Sequence, residues 1–307
     1  AFLANNVVFT VFAFVVLLGT VFPLLIEALE DRRTVVGAPY FDRLTMPIGL
    51  TLLFLMAMAP VLPWRKASGE LLRQRLFWPA WCGAAAMVVA LVVGADGWAP
   101  LLGFGLAGFA AGSALRQIAL ATRRQGWRGL VGRANGGMVV HLGVILVAVT
   151  LVASNAYTRT HTITLQLGEP VTVLGHELEF VGAEVRRDAR EERAMAHVRV
   201  DGGRVLDPAL TTYLRQGRPI PTPGVDSGLT RDLYVTIDGN TPPADGDTSV
   251  PLRVQHKPLM VWMWTGALVI ALGTVLAAFP GRHRRNPIDP VSAPVPAPEP
   301  EPELVDV

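Results

Sequence analysis

His141 is the residue whose type and position most clearly suggest chemistry, because it lies inside an apolar run from Gly137 to Ser154. An ionisable group in a membrane interior is costly and marks a functional site by default. Neutral imidazole is also the usual axial ligand of haem iron. On a helix, its face carries small and apolar residues that form a reasonable wall for a flat porphyrin: Gly137, Met138, Val144, Ile145 and Ala148.

A structural explanation of His141 competes with the ligand hypothesis. The residue lies about one turn inside the predicted helix, so its ring could reach the membrane surface or hydrogen-bond a neighbouring helix. The residues alone leave both explanations open.

The remaining ionisable groups indicate weaker sites. His161, His176 and His197 fall in a polar segment, and no pair of them has metal-ligand spacing on one strand face. His256 stands beside Lys257 and Pro258, which favours interfacial anchoring, and His283 belongs to a basic cluster. The carboxylate of Glu27, near the outer end of the first apolar run, is expected to have a structural role.

Several classes of site are excluded by the sequence. The single cysteine, Cys82, excludes an internal disulfide, a four-cysteine zinc site and a CxxC redox pair. There is no GxSxG nucleophile elbow, and the Gly103–Gly108 segment lies within an apolar helix rather than after a strand, so no nucleotide site is expected. The net charge of +2 comes with basic residues in short clusters between apolar runs, which does not suggest a nucleic-acid partner.

The elements that must position His141 are membrane helices. Of the 307 residues, 51% are hydrophobic and 17% are charged, against about 25% charged in ordinary soluble domains. A bilayer core needs about 20 apolar residues in a helix. The six stretches that approach this length are approximately Val7–Leu29, Met46–Leu62, Phe77–Gly94, Pro100–Ile118, Gly137–Ser154 and Leu259–Phe279.

The loop charges predict the orientation of these helices. Basic clusters follow the second, fourth and sixth stretches, and the positive-inside rule places them in the cytoplasm: Arg65, Lys66, Arg73 and Arg75; Arg116, Arg123, Arg124, Arg128 and Arg133; Arg282, Arg284 and Arg285. Residues 30–45, 95–99 and 155–257 then lie on the opposite side. Arg32, Arg33 and Arg43 in the first of these segments are an exception to the rule, outweighed by the three larger clusters.

The insert before the last helix has the pattern of an all-β domain. Apolar residues alternate in five segments separated by Gly-, Asp- and Pro-containing turns: Thr162–Leu167, Leu178–Val185, Ala196–Val200, Leu233–Ile237 and Val250–Val254. The Pro219–Pro223 stretch is predicted to be a loop.

The sequence therefore predicts a polytopic α-helical membrane protein with an inserted all-β extracytoplasmic domain between its last two helices. Residues 1–155 form a five-helix membrane region and 156–257 the β domain. Residues 258–280 form the last helix, and 281–307 a disordered, Pro- and Glu-rich cytoplasmic tail.

Motifs along residues 1–280 resemble the CcmF, CycK and NrfE family, the haem lyase subunits of bacterial cytochrome c maturation. Val36–Phe41 is similar to a short Val-Gly-Pro-Pro-Tyr-Phe loop of that family, with Ala38 in place of the first proline. The helix around His141 resembles its late membrane helix, which bears a haem-ligating histidine. The other matching segments are Asn5–Asn6, Gly19–Thr20, Phe22–Leu29, Arg231–Val235 and the closing Trp-containing helix.

The resemblance implies that His141 is an axial ligand of a membrane-embedded b-type haem. The resemblance also implies that this haem reduces incoming haem, with quinol as the electron source, before attachment to a CxxCH apocytochrome c. The implied partners are the haem chaperone CcmE and CcmH- or CcmI-type subunits, with Val36–Phe41 and the β domain as candidate contacts.

The family's second membrane ligand and its Trp-rich haem-presenting motif belong to an earlier half that has no counterpart here. Together with a first residue, Ala1, that no basic segment precedes, this indicates either a fragment or one piece of a split lyase. This portion alone is expected to be inactive. Its expected location is the bacterial inner membrane, with the β domain periplasmic and the C-terminus cytoplasmic. The alternative is a non-enzymatic membrane scaffold or half of a transporter, in which His141 only packs.

Overall fold

Six long helices and ten strands make up the part of the chain that the computed structural model describes, which is residues 2–32, 34–59, 61, 69–126, 133–214 and 219–278. All six helices are long and apolar enough to cross a membrane. In chain order α1–α6 are Phe2–Glu30, Ala38–Met58, Gly69–Val93, Trp98–Gln125, Arg133–Tyr157 and Met260–Ala278. The prediction of six apolar helices is confirmed. The predicted tail, 281–307, lies outside the described residues.

The second helix begins earlier than predicted. Residues 38–45 were expected in a loop, whereas α2 starts at Ala38 with Pro39 in its first turn. Proline suits that position because its fixed φ and missing N–H cost nothing there. The Tyr40 hydroxyl donates to the Val15 carbonyl oxygen of α1 at 3.1 Å, and a Cβ added at Gly19 would lie 2.7 Å from the Tyr40 ring. Tyr40 and Phe41 therefore join α1 to α2 and are not free loop residues.

Glycines bring neighbouring helices into direct backbone contact. A Cβ at Gly83 of α3 would lie 2.9 Å from the Gly105 carbonyl oxygen of α4. A Cβ at Gly143 of α5 would lie 2.7 Å from the Gly266 carbonyl oxygen of α6. Gly103 of α4 instead faces a side chain, because its added Cβ would lie 3.0 Å from a methyl group of Val152 of α5. Small residues at helix crossings allow such close packing in membranes.

Further contacts show the direction of the helices. Gly105 and Gly112 of α4 meet Met87 and Cys82 of α3, and Gly136 and Gly143 of α5 meet Ala277 and Ile270 of α6, so both pairs are antiparallel. Phe104, near the start of α4, stacks near Tyr157 at the end of α5. Arg73 and Arg75 near the start of α3 consequently lie at the same end of the helices as Arg123 and Arg124 in the last turn of α4. The strands lie at the other end. Arg65, Lys66, Arg128, Arg282, Arg284 and Arg285, from the basic clusters, are outside the described residues.

The residues between α5 and α6 form two antiparallel sheets, called here the β region (159–258). One sheet has the strand order β1-β10-β9-β8, and the other β2-β3-β4-β6-β7 with β5 paired to β4. The strands β1–β10 are Arg159–Gln166, Pro170–Val173, His176–Arg187, Glu191–Val200, Val205–Leu206, Ala209–Tyr213, Pro219–Thr222, Gly224–Asp226, Arg231–Ile237 and Ser249–Pro258.

One apolar core joins the two sheets. Leu165, Val235 and Leu252 from the first sheet and Leu178 and Phe180 from the second belong to the same buried cluster. The five predicted strands correspond to β1, β3, β4, β9 and β10. β1 pairs with β10 from Arg159 opposite His256 to Gln166 opposite Ser249, so the first and last strands of the β region are neighbours.

The prediction of a loop at Pro219–Pro223 was wrong. Residues Pro219–Thr222 form β7, which pairs only with β6 among the described strands. Proline lacks the N–H that a ladder needs, but at a sheet edge that donor has no partner to lose. The edge position thus explains why a proline-rich segment can be a strand.

Candidate functional site

His141 lies well within α5. The candidate span begins at Asn135, so His141 is about 9 Å along the helix axis from its start. The helix itself starts at Arg133 rather than at the predicted Gly137, which places the imidazole deeper in the span than the single turn expected from sequence. Among the five histidines in the described residues, His141 alone lies within a candidate span.

Two faces of α5 are occupied by other helices. Gly136, Val140, Gly143 and Val147 meet α6. On another face, Ile145 is buried in an apolar cluster with residues of α2 and α4, and the half-buried side chains around it are Leu142, Ala148 and Val149.

His141 stands at the margin between the packed face towards α2 and α4 and an open strip along α5. Among the described residues, nothing lies within 4 Å of a Cβ built at Gly137. Val144 and Leu151 are exposed, and the helical repeat places them with Gly137 on one side of His141. The apolar residues predicted to share one surface with His141 therefore have two different surroundings. Ile145 and Ala148 face the helix cluster, whereas Gly137 and Val144 border the open strip.

The donor set at this site is one imidazole. Within the described ranges, no group of three or more His, Cys, Asp or Glu side chains could hold a metal ion. The residues fit one face of a haem, because the imidazole supplies an axial nitrogen and Gly137 leaves space for a flat ring. A second axial ligand would have to come from elsewhere.

A second histidine cluster joins the two sheets of the β region. His176 Nε2 lies 3.2 Å from His256 Nε2, with the rings nearly perpendicular. The other nitrogen of His176, Nδ1, donates to Asp201 Oδ2 at 2.7 Å, since an ionised carboxylate can only accept. The Glu177 N–H donates to Asp201 Oδ1 at 2.8 Å. These contacts lower the pKa of Asp201, the His176 hydrogen bond contributing most.

His256 is buried, and its pKa is lowered mainly by desolvation. Electrostatic interactions with His176, Arg231 and Arg159 lower the pKa of His256 further. The sequence interpretation of His256 as an interfacial anchor missed this contact, because no spacing rule links residues 80 positions apart. The available signal was the alternation of β10, which places His256 on the face of Val250, Leu252 and Val254.

The other predicted polar groups have ordinary surroundings. His197 Nδ1 donates to Asp207 Oδ1 at 2.7 Å at the surface of the β region. His161 and Glu27 are both exposed. None of the three belongs to the surroundings of His141, so they do not extend the candidate haem site.

Comparisons with known proteins agree with the architecture of the chain. No protein-family model matches it. The chain is 33% identical over 292 residues to the cytochrome c-type biogenesis protein CcmF of Pseudomonas fluorescens, and 31% identical to that of Pseudomonas aeruginosa. Each match covers 92% of this chain and 44% of the relative. The protein CycK of Bradyrhizobium diazoefficiens is 29% identical over 312 residues, with 95% of this chain and 46% of CycK covered.

A solved structure has the same fold over most of the chain. The structure titled cytochrome c heme lyase CcmF has a TM-score of 0.68 and 27% identity, covering 91% of this chain and 45% of its own. The chain thus spans less than half the length of the relatives it matches, and it corresponds to their C-terminal portion.

Proposed function

Because this chain is related over nearly its whole length to the CcmF, CycK and NrfE proteins of cytochrome c biogenesis, we propose that it is part of a cytochrome c maturation haem lyase. In this proposal, His141 is one axial ligand of a membrane-embedded b-type haem. The observation that carries it is the position of His141: a histidine inside a candidate span, beside the open strip of α5.

The residues around His141 have distinct tasks. A neutral imidazole presents one nitrogen to the iron, while Gly137 leaves space that any larger side chain would fill. Packing of Ile145 against α2 and α4 fixes the rotation of α5 about its axis and hence the direction of His141. When bound, the haem would supply electron transfer, with quinol as the donor, to reduce the iron of incoming haem.

The rest of the lyase must complete the site. The chain offers one imidazole within the described spans, and a bis-histidine haem needs two. We assign the second ligand to the portion of the relatives that this chain does not cover. The open strip bordered by Gly137, Val144 and Leu151 is the surface on which that portion would close over the haem. This chain alone would then be inactive as a lyase.

The arrangement of charges supports a topology for the complex. Arg73, Arg75, Arg123 and Arg124 lie at one end of the helices and the β region at the other, which fits the positive-inside rule. We place the arginine end and residues 281–307 in the cytoplasm and the β region in the periplasm of an inner membrane. The β region would there face CcmE, CcmH- or CcmI-type subunits and apocytochrome c.

The experiment is to co-express the chain with the N-terminal portion of a related lyase and to record the reduced haem spectrum of the purified complex. His141→Ala should remove the b-type absorption of the haem that His141 ligates. It should also reduce cytochrome c maturation at least about tenfold, because even the loss of a residue that only supports a metal ligand typically costs about that much. The matched control is His161→Ala, an exposed histidine outside the spans, which should leave both measurements unchanged.

Expression and membrane insertion of both variants are compared first, so that loss of the protein is not mistaken for loss of haem. A b-type spectrum that survives His141→Ala unchanged would contradict the ligand assignment. Maturation that proceeds fully without this chain, in cells lacking their own lyase, would contradict the function and leave the scaffold alternative.

A further inference from the structure

The inner face of the first sheet becomes basic at the end nearest the helices. In β10, alternate residues Val250, Leu252 and Val254 are buried in the core, and His256 is the next residue on that face. Arg159 of β1 is the direct cross-strand partner of His256. The apolar core of the β region therefore ends, on its helix side, in charged and polar groups.

The neighbouring strands add two further groups to this end. In β9, Arg231 lies two residues before the buried Leu233, itself opposite His256, so strand alternation puts Arg231 on the same face. From the second sheet, His176 contacts His256 directly. Arg159, Arg231, His176 and His256 are called here the basic mouth.

The two arginines of the basic mouth have no acidic partner within the described chain. His176, Arg231 and Arg159 all disfavour the protonated form of His256. Across the described ranges, neither arginine is within ion-pair distance of a carboxylate, whereas Arg199, Arg204 and Arg253 of the same β region each have an acidic partner. Asp201 is occupied by His176 and the Glu177 N–H. The mouth is therefore a site of positive potential with free guanidinium donors.

The basic mouth lies where the β region meets the helices. Arg159 follows Tyr157, the last residue of α5, by two positions, and Arg231 pairs with Pro258, two positions before α6 begins. If α5 and α6 span a bilayer, this level is that of the lipid headgroups. Guanidinium groups bind phosphate oxygens through paired N–H donors.

We propose that the basic mouth binds a phosphate group, supplied by the headgroup of an anionic phospholipid at the membrane surface. Arg159 and Arg231 donate to the phosphate oxygens, and His256, once protonated, adds a third positive charge. The Asp201–His176 hydrogen bond orients the His176 ring that contacts His256. The site lies outside the membrane spans and does not involve His141. The phosphate proposal can therefore be tested independently of the haem assignment.

A metal ion is a poorer occupant of the same place. The two Nε2 atoms are close enough to share a cation, but the described residues bring no third ligand to them. Two unpaired guanidinium groups beside the histidines also repel a divalent cation. The charges favour an anion.

The test uses the whole chain in nanodiscs of phosphatidylcholine, with and without phosphatidylglycerol, and in phosphatidylcholine nanodiscs with added inorganic phosphate. The titration of the His256 side chain is followed by NMR of ¹⁵N-labelled histidine. A bound anion favours protonated His256, so its titration should move to higher pH with phosphatidylglycerol. By linkage, the affinity for this lipid should rise roughly tenfold as the pH falls through that titration.

Two variants make the test specific. Arg159→Gln combined with Arg231→Gln should abolish the response to phosphatidylglycerol. Without any anion, the same variant should already titrate at higher pH than the wild type, because two repelling charges are gone, and this response verifies that the variant is folded. Arg253→Gln, on the outer face of β10 and paired with Asp238, is the matched control and should respond like the wild type.

The outcomes separate the sources of the phosphate. A response to phosphatidylglycerol but not to inorganic phosphate supports the lipid headgroup. A response to inorganic phosphate alone supports the phosphate site but assigns it to a soluble ligand. The proposal is overturned if neither anion moves the His256 titration, or if the double variant responds to phosphatidylglycerol as strongly as the wild type does.

Discussion

Two histidines in this chain differ in what their neighbours allow. His141 has apolar neighbours and an open strip beside it, so its imidazole is available to a ligand from outside the helix cluster. His256 is buried against His176 and lies among positive charges, so it resists protonation. The sequence suggested the ligand role of His141 from its position in an apolar run. It did not reveal the buried contact of His256, because the partner of His256 comes from the other sheet.

His256 should make the stability of the β region depend on pH. Its pKa in the folded chain is lowered from 6.5 by burial and by His176, Arg231 and Arg159, while Asp201 pairs with His176. The unfolded chain therefore takes up a proton below pH 6.5 that the folded chain does not, and stability falls as the pH decreases from there towards the lowered value.

We expect His256→Gln to remove this part of the pH dependence, so that the wild type loses more stability than the variant between neutral and mildly acidic pH. Amide hydrogen exchange in β9 and β10 measures the effect. Gln255→Ala, on the opposite face of β10, is the control and should retain the wild-type slope. An identical slope in the wild type and His256→Gln would show that His256 does not titrate as described.

Among the elements, α5 and α6 depend most directly on small residues. A Cβ at Gly143 would lie 2.7 Å from the Gly266 carbonyl oxygen and 2.8 Å from the Ile270 backbone nitrogen. Since these are backbone atoms of another helix, one methyl group must move the helices apart.

We expect Gly143→Ala to destabilise the chain by about 1–3 kcal/mol, the usual cost of overpacking, measured by thermal unfolding in detergent. Gly49→Ala is the matched control, because no described residue lies within 4 Å of its added Cβ, and alanine there should be neutral or slightly stabilising. Equal unfolding temperatures for the two variants would contradict the close contact of α5 with α6.

The sequence predicted the elements that show a clear pattern, either a long apolar run or an alternation of apolar and polar residues. All six helices were found because length and apolar content suffice to recognise them. β1, β3, β4, β9 and β10 were found because their buried and exposed residues alternate. Strand β6, Ala209–Tyr213, was missed because its first three residues are all buried and the alternation is absent.

Other features depend on tertiary contacts that a sequence does not display. Tyr40 and Phe41 are in a helix because Gly19 of α1 gives their rings a place to pack. Pro219 and Pro221 are in a strand because β7 lies at an edge. For the candidate haem site, the sequence predicted His141 but not that Ile145 and Ala148 would be packed against α2 and α4, since helical spacing does not say which neighbour covers which face.

At the scale of the whole molecule, the arginine end and the β region should lie on opposite sides of a membrane. In a Cys82→Ser background, which removes the single native cysteine, Asn240→Cys marks the β region and Arg124→Cys marks the other end. Both positions are exposed. In intact spheroplasts, a membrane-impermeant thiol reagent should label Asn240→Cys and should label Arg124→Cys only after lysis.

Lysed membranes serve as the accessibility control, since both variants should be labelled there to a similar extent. Labelling of Arg124→Cys and not of Asn240→Cys in intact spheroplasts would reverse the proposed topology. Labelling of both would contradict the placement of the two regions on opposite sides.

The pairing of β1 with β10 places the two chain connections between the β region and the helices side by side. The chain enters the β region through β1 and leaves it through β10, and these strands pair from Arg159 opposite His256 to Gln166 opposite Ser249. This two-stranded ribbon continues into α5 and α6, which are held together by glycine contacts. Insertions or replacements beyond Gln166 and Ser249 leave the register of this ribbon unchanged. Loops of the β region that lie outside this ribbon, and outside the contact of Leu229 with Trp262 of α6, can therefore be remodelled by evolution or by design without changing how the β region is joined to the membrane helices.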